Sequence, residues 1–314
     1  MDVLAYFWGP AADLAFRRGW THGILALALW PFLLTGALVL LGRGIHRVRR
    51  ASLPSGIAPR QMLLLSSVAI LSHPVLDTLN TYGMRWLMPF SGRWFYGDTL
   101  FIVDPWVWLT LGAGVLLSQP RRGSTLPARV ALWVSFGYLV AMAASALSAR
   151  RAAGRELAAI SGEPVERLMV APLPVNPFRR SVVVEQGKAY LIASFRWLSD
   201  QKVDPASVRI FPKGRRDHPA AQAAAATTVG RRFLGWARFP AFQVEPAGGG
   251  DFVVHIIDLR YADRPGVRFG AVTIPVTVPP GTGRPRRTPR SPVRRRRGRC
   301  GSLPGASPPC APSW

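Results

Sequence analysis

Apolar runs long enough to cross a bilayer constrain this chain more than any other feature. Gly23 to Leu41 holds Pro31 and no charge. At about 1.5 Å per helical residue such a run covers roughly 30 Å of hydrocarbon. Met62 to Leu79 and Leu100 to Leu117 follow as the second and third span candidates. Val130 to Leu147 is the fourth, rich in alanine and other small residues that let membrane helices pack closely. Mean hydropathy is +0.16, high for a soluble protein and low for one that is membrane throughout, so a water-facing part is expected as well.

Arginine placement orients the spans. Arg43, Arg47, Arg49, Arg50 and Arg60 lie between spans one and two, and Arg121, Arg122 and Arg129 between three and four. The longer second linker carries only Arg85 and Arg93, offset by Asp98. The positive-inside rule then puts the first and third linkers in the cytoplasm. The N-terminus, the second linker and everything after Leu147 would face out, with Arg150, Arg151 and Arg155 arguing mildly the other way. Met1 to Arg18 lacks the basic start and small-residue cleavage site of a signal peptide.

In this arrangement the intramembrane polar residues share one face. His22 begins span one, His73 and Asp77 end span two, and Asp104 begins span three, all on the outer side, with Asp2 ahead of span one. Ionisable groups at the edge of hydrocarbon are costly unless they pair, line a wet cavity or hold an ion. Residues four apart on a helix share a face, so His73 and Asp77 can reach one ion. Imidazole and carboxylate are the ligands that zinc or manganese take from a protein without thiolates. Pro74 is expected to break the helix between them, because the residue before proline is biased away from helical geometry. The plainer readings stay open. Asp77 can cap a helix or pair with Arg85, and Asp104 with Pro105 behind it is a helix-start signal. His22 can be an interfacial histidine beside Trp20, and His46, His218 and His255 fall outside the site.

After span four the pattern changes. From about Gly162 to Val278 the chain alternates or runs in short β-rich segments: Ser181 to Val184, Ala189 to Trp197, Val208 to Phe211, Asp251 to Tyr261 and Val267 to Val278. The alanine-rich Pro219 to Arg232 reads as one helix. The fold class expected is an α-helical membrane bundle of about four spans, then a soluble α+β, β-rich extracytoplasmic domain and a disordered basic tail. The corresponding domains are 1–149, 160–278 and 279–314.

The formal net charge of +24 is carried almost wholly by arginine, nine of them in the acid-free stretch after Pro279. Lys188, Lys202 and Lys213 are the only lysines, which reads as GC-rich coding bias. That last stretch cannot bury a core and is expected to be disordered. A basic tail can bind nucleic acid or anionic lipid. A GC-rich gene read in a shifted frame has the same composition, and that reading stands slightly ahead of either binding role. Cys300 and Cys310 both lie in this tail, so no disulfide framework or thiolate metal site is expected elsewhere.

The blocks Arg18-Gly19-Trp20-Thr21-His22-Gly23, Ser72-His73-Pro74 through Asp77, Asn80-Thr81-Tyr82-Gly83, Pro89-Phe90-Ser91 and Leu100 to Trp106 resemble those of the membrane-bound metal-dependent hydrolases of the YdjM type, which are bacterial inner-membrane proteins. The resemblance covers roughly Met1 to Leu147. It implies that His22, His73 and Asp77 are the polar residues of a metal site and that Asp2 matches the last acid of a Pro-Asp-x-Asp element. Two departures stand out. Members usually begin with a further helix carrying a Thr-His pair and the first acid, so the chain is expected to be truncated at its N-terminus. Many also have histidine where Arg17 stands.

Together these readings give an integral inner-membrane hydrolase with a divalent ion, zinc or manganese, held by His22, His73, Asp77 and Asp2. Asp104 would serve as general base or as an orienter of a ligating histidine. The expected partners are the lipid bilayer and an ester or phosphoester of a lipid or envelope precursor. The alternative is a non-catalytic membrane protein whose polar groups tie helices together and whose outer domain binds a partner.

Overall fold

The computed structural model describes residues 16, 18–49, 58–118, 124–261 and 269–278. Asp2, Arg17 and the basic stretch after Pro279 lie outside the described residues. Four helices occupy the four apolar regions: α1 (Ile24–Arg49), α2 (Pro59–Thr78), α3 (Pro105–Leu117) and α4 (Leu126–Ser161). α1 packs along α2, and α3 along α4. The expectation of four spans is not met. Among the described residues two helices are long and apolar enough to cross a membrane, Ile24–Ile45 and Leu126–Ser161. α3 has 13 residues, about 20 Å against the roughly 30 Å of a hydrocarbon core. α2 is long enough at 20 residues, but Arg60, Gln61, Ser66, Ser67, Ser72, His73 and Asp77 dilute its hydropathy.

The expected break at Pro74 is absent as well. α2 runs on through Pro74 to Thr78. Proline removes one amide donor from the ladder. One turn on, Thr78 Oγ1 donates to the Pro74 carbonyl at 2.8 Å.

α4 does not stop at Leu147. Its first half exposes Leu132, Trp133, Val134, Phe136 and Val140, and its second half buries Ala149, Ala153 and Leu157 against a sheet. That sheet is the antiparallel meander β1 (Arg167–Pro172), β2 (Arg179–Gln186), β3 (Ala189–Arg196), β4 (Arg209–Pro212). Successive side chains on a strand point to opposite faces. Leu168, Val170, Val182 and Val184 therefore meet α4, while Met169, Ala171, Val183 and Ile192 meet Phe239 and Leu259 on the other side. With both faces covered, the strands read as continuous apolar runs.

The alanine-rich segment expected as one helix is two, α5 (Pro219–Ala226) and α6 (Thr228–Trp236). Thr227 separates them: its backbone is extended and its Oγ1 accepts from Gly230 N, a helix N-cap. Both helices cover the second antiparallel sheet, β5 (Pro240–Gly248), β6 (Asp251–Asp258) and β7 (Ala271–Thr277). β1 and β5 were not among the expected strands. Residues 1–279 form one compact unit, so the helical and β-rich regions are packed together.

The joint between them is the segment after α2. Tyr82 and Trp94 pack in the core that α6 and the second sheet make. Trp236 Nε1 donates to the Tyr82 carbonyl at 3.0 Å, and Tyr96 Oη donates to the Trp236 carbonyl at 2.9 Å. Burial pushes the Tyr96 phenol up to about 12, against the pull of Arg260 and Arg238. Arg238 holds Asp98 through both carboxylate oxygens at 2.7 and 2.9 Å. Arg180 is fully buried where β2 meets α4, donating to the Met142 carbonyl and Ser145 Oγ. Burial draws its guanidinium down to about 10, still a cation at neutral pH.

Candidate metal centre

The segment Arg18 to Gly23 turns just ahead of α1 and is stitched to the loop after α2. Arg85 N donates to the Arg18 carbonyl and Ile24 N to the Trp86 carbonyl, both at 3.0 Å. Gly19 is buried, and a Cβ there would stand 2.5 Å from the Arg85 guanidinium and push it aside. These contacts set His22 at the head of α1 beside His73 near the end of α2, with ring centroids 5.4 Å apart.

His22, His73 and Asp77 form a cluster in which one ligand atom from each lies within 4.8 Å of the others. His73 Nε2 stands 3.4 Å from Asp77 Oδ2. That is about the edge of a tetrahedron built on bonds of roughly 2.1 Å. The 4.8 Å within which all three ligand atoms lie is close to the ~4.2 Å that two such bonds can span. The donor set itself, two imidazoles and one carboxylate, suits zinc or manganese and leaves a coordination position for water. The His22 ring has an outer partner: Thr21 Oγ1 lies 2.7 Å from Nδ1. A bond at one ring nitrogen fixes the tautomer that presents the other.

Asp77 also has a cationic neighbour. Arg18 approaches its Oδ1 at 3.2 Å, and both side chains are largely buried, at 13% and 15% exposure, while His73 is 63% exposed. The pairing expected with Arg85 is therefore made by Arg18, and Arg85 lies over the Trp94 ring. Arg18 also donates to Asn80 Oδ1 at 2.9 Å and lies over Tyr82 at 4.6 Å. Asn80 Oδ1 in turn accepts from Tyr82 N at 2.9 Å, the Asx turn by which the chain leaves α2. Gly83 follows with φ +93°, and a Cβ there would lie 2.5 Å from the Tyr96 ring. The roles of Arg18, Asn80 and Thr21 had no signal beyond their presence in the motif blocks.

Asp104 is placed elsewhere. One of its carboxylate oxygens caps α3, accepting from Trp106 N and Val107 N at 3.1 and 3.3 Å, and the other accepts from Tyr138 Oη at 3.1 Å. It is not in the His–Asp cluster, and the helix-start reading of Asp104-Pro105 describes it fully. His218 caps α5, accepting from Ala220 N at 3.2 Å. His255 lies in β6 beside Thr273.

The model of the YdjM inner membrane protein family matches residues 1–150. Over those residues, a little under half of its length, the chain is similar to the YdjM family. The match spans the whole described cluster and the loop that backs it, and it ends within α4, ahead of the sheets. No curated protein and no solved structure matches the chain. Family and apolar helices agree on a membrane location, and the YdjM region carries the His22–His73–Asp77 group at the ends of α1 and α2 nearest the β-rich region.

Proposed function

We propose that the chain is a metal-dependent hydrolase of the inner membrane, with zinc or manganese held by His22, His73 and Asp77. The observation that carries this reading is the convergence of those three side chains, 55 positions apart at their extremes, at one end of a membrane helix pair. Bound there, a divalent ion supplies a Lewis acid and brings the pKa of a coordinated water toward ~7. The chain's own groups do the rest. Thr21 fixes the His22 ring. The Arg18 guanidinium locks Asp77 through one oxygen and turns the other toward His73. The exposed edge of His73 leaves the site open on one side for a substrate. Asp2 stands as a further acid of the site, carried over from the family pattern. Asp104 serves as the cap of α3 and takes no chemical step. With α2 and α3 also taken as membrane-crossing, arginine placement puts the site and the β-rich domain on the periplasmic side, and a site at lipid depth there suits an ester or phosphoester of a lipid or envelope precursor as substrate.

The test is metal analysis of the full chain purified in detergent. One equivalent of zinc or manganese is expected, lost in His73→Ala and in Asp77→Ala. Variants that keep the parent's metal content would sink the assignment. The Arg18–Asp77 contact favours a second reading, in which the cluster only ties α1 to α2 and the domain binds a partner. No metal then copurifies, and the same substitutions lower the melting temperature.

A further inference from the structure

A second site lies beside the first. A cavity of about 330 Å³ opens between the start of α3, the β1–β2 hairpin and the end of the second sheet. It falls within the size range of small-ligand sites. Phe101, Ile102, Met169, Ala171, Leu173 and Pro174 give it an apolar wall, and Thr81 and Arg260 close its polar end. Arg260 is already committed to Asp258 and to the Thr81 carbonyl, so among the described residues that line it the polar end holds no uncommitted guanidinium for an anionic ligand. What the cavity can recognise is hydrocarbon.

It adjoins an exposed apolar surface. Ile102 and Val103 run directly into α3, whose Trp106, Trp108 and Leu109 are exposed apolar side chains. The β1–β2 turn is hooked onto the same helix end: Trp106 Nε1 donates to the Val175 carbonyl at 2.8 Å, and Pro177 shares a groove with Val107, Val134 and Tyr138. At this turn Val175 is 62% exposed and Phe178 53%. Val175 has φ +69°, a conformation a β-branched residue adopts only at a cost. A turn that needed only shape would be easier with glycine or asparagine. Here it carries exposed apolar side chains beside the apolar start of α3.

We infer that this cavity takes the acyl chain of a lipid from the leaflet on the domain's side, with the β1–β2 turn inserted among the headgroups at its mouth. An acyl chain fits because Ile102, at the apolar wall, runs into the exposed apolar surface of α3, an entry that spares the chain a passage through water. That the lipid is also the substrate rests on the hydrolase reading; the binding itself does not. Thr81 joins the two sites, lining the cavity and following Asn80, whose side-chain Oδ1 accepts from the Arg18 that pairs with Asp77.

The experiment uses the full chain in nanodiscs of phosphatidylethanolamine and phosphatidylglycerol containing a phosphatidylethanolamine with a terminal acyl diazirine. After irradiation, peptide adducts are mapped by mass spectrometry. Adducts are expected on Phe101–Ile102 and Met169–Pro174 as well as on the lipid-facing helices. Ala171→Phe fills the cavity, and Leu173→Asp places a charge at its wall without adding volume. Each should lower cavity adducts by about tenfold or more, the scale of burying an unpaired polar group, while adducts on α1 and α3 stay constant. Adducts confined to the helices in the parent, or cavity adducts unchanged in both variants, overturn the inference. Metal content of the same samples reads the other proposal separately. Full metal without cavity adducts removes the lipid site alone, and cavity adducts in metal-free protein remove the hydrolase alone.

Discussion

Asp258→Ala should be among the most damaging single substitutions outside the helices, and its cost can be worked from the contacts. Asp258 is fully buried and accepts from Arg238 N at 2.9 Å, Arg260 N at 3.1 Å and Arg260 Nε at 2.8 Å. Arg260 is buried with it, lies over the Trp236 ring at 4.5 Å and donates to the Thr81 and Trp236 carbonyls. Removing the carboxylate leaves a guanidinium in the interior with carbonyl and ring partners but, among the described residues, no counter-ion. Breaking a buried pair from one side costs about 3–5 kcal/mol. At about 2–4 °C per kcal/mol for a protein of this size, that is a loss of roughly 6–20 °C in melting temperature. Asp258→Asn keeps the shape and some acceptor capacity and should lose less, about 1.5–3 kcal/mol. Glu245→Gln is the control, because Glu245 is exposed and stands 3.7 Å from His255; it should cost no more than about 1 kcal/mol. Thermal unfolding in detergent, followed by tryptophan fluorescence near Trp236, reads all three. An Asp258→Ala protein melting within about 2 °C of the parent, or no further from it than the control, would refute the reasoning.

Three other substitutions probe the site and the sheets. Thr21→Val removes the partner of His22 Nδ1 and should weaken zinc or manganese binding by about 10–100-fold, measured by competition with a chelator. Gly83→Ala places a Cβ against the Tyr96 ring at a left-handed backbone position, and should cost about 1–3 kcal/mol in thermal unfolding. Burial would raise the Glu185 carboxyl, but the Arg167 and Lys213 side chains bonded to it outweigh that and hold it below the usual carboxylate range. Its contribution is therefore present above the unfolded value near ~4.3 and lost as pH falls through the lower folded value. Glu185→Gln should flatten that acid limb of the stability profile.

The site was partly legible because its spacing is local. His73 and Asp77 are four apart on one helix, and the share of polar residues at one end of each apolar run brought His22 to the same face. Arg18 was not legible as the partner of Asp77, since nothing in a linear reading separates it from Arg85. Asp104 read two ways in the sequence, and only the contact with Tyr138 and the α3 amides shows how both its oxygens are used. The two missed strands have a common cause. β1 (RLMVAP) is buried on both faces and does not alternate, and β5 contains two prolines and a glycine.

By itself the sequence determined that α1 and α4 would be apolar helices, that a β-rich region would follow, and that imidazole and carboxylate would gather at one end of the helices. These outcomes rest on hydropathy and on periods of two and about 3.6 residues, which act between near neighbours. Tertiary structure decided that α4 continues into the sheet, that the loop after α2 is locked beneath Arg260 and Trp236, and that an apolar cavity lies between them. Those features depend on side chains separated by as many as 179 positions (Thr81 and Arg260), whose pairing is chosen by burial and hydrogen-bond satisfaction in three dimensions.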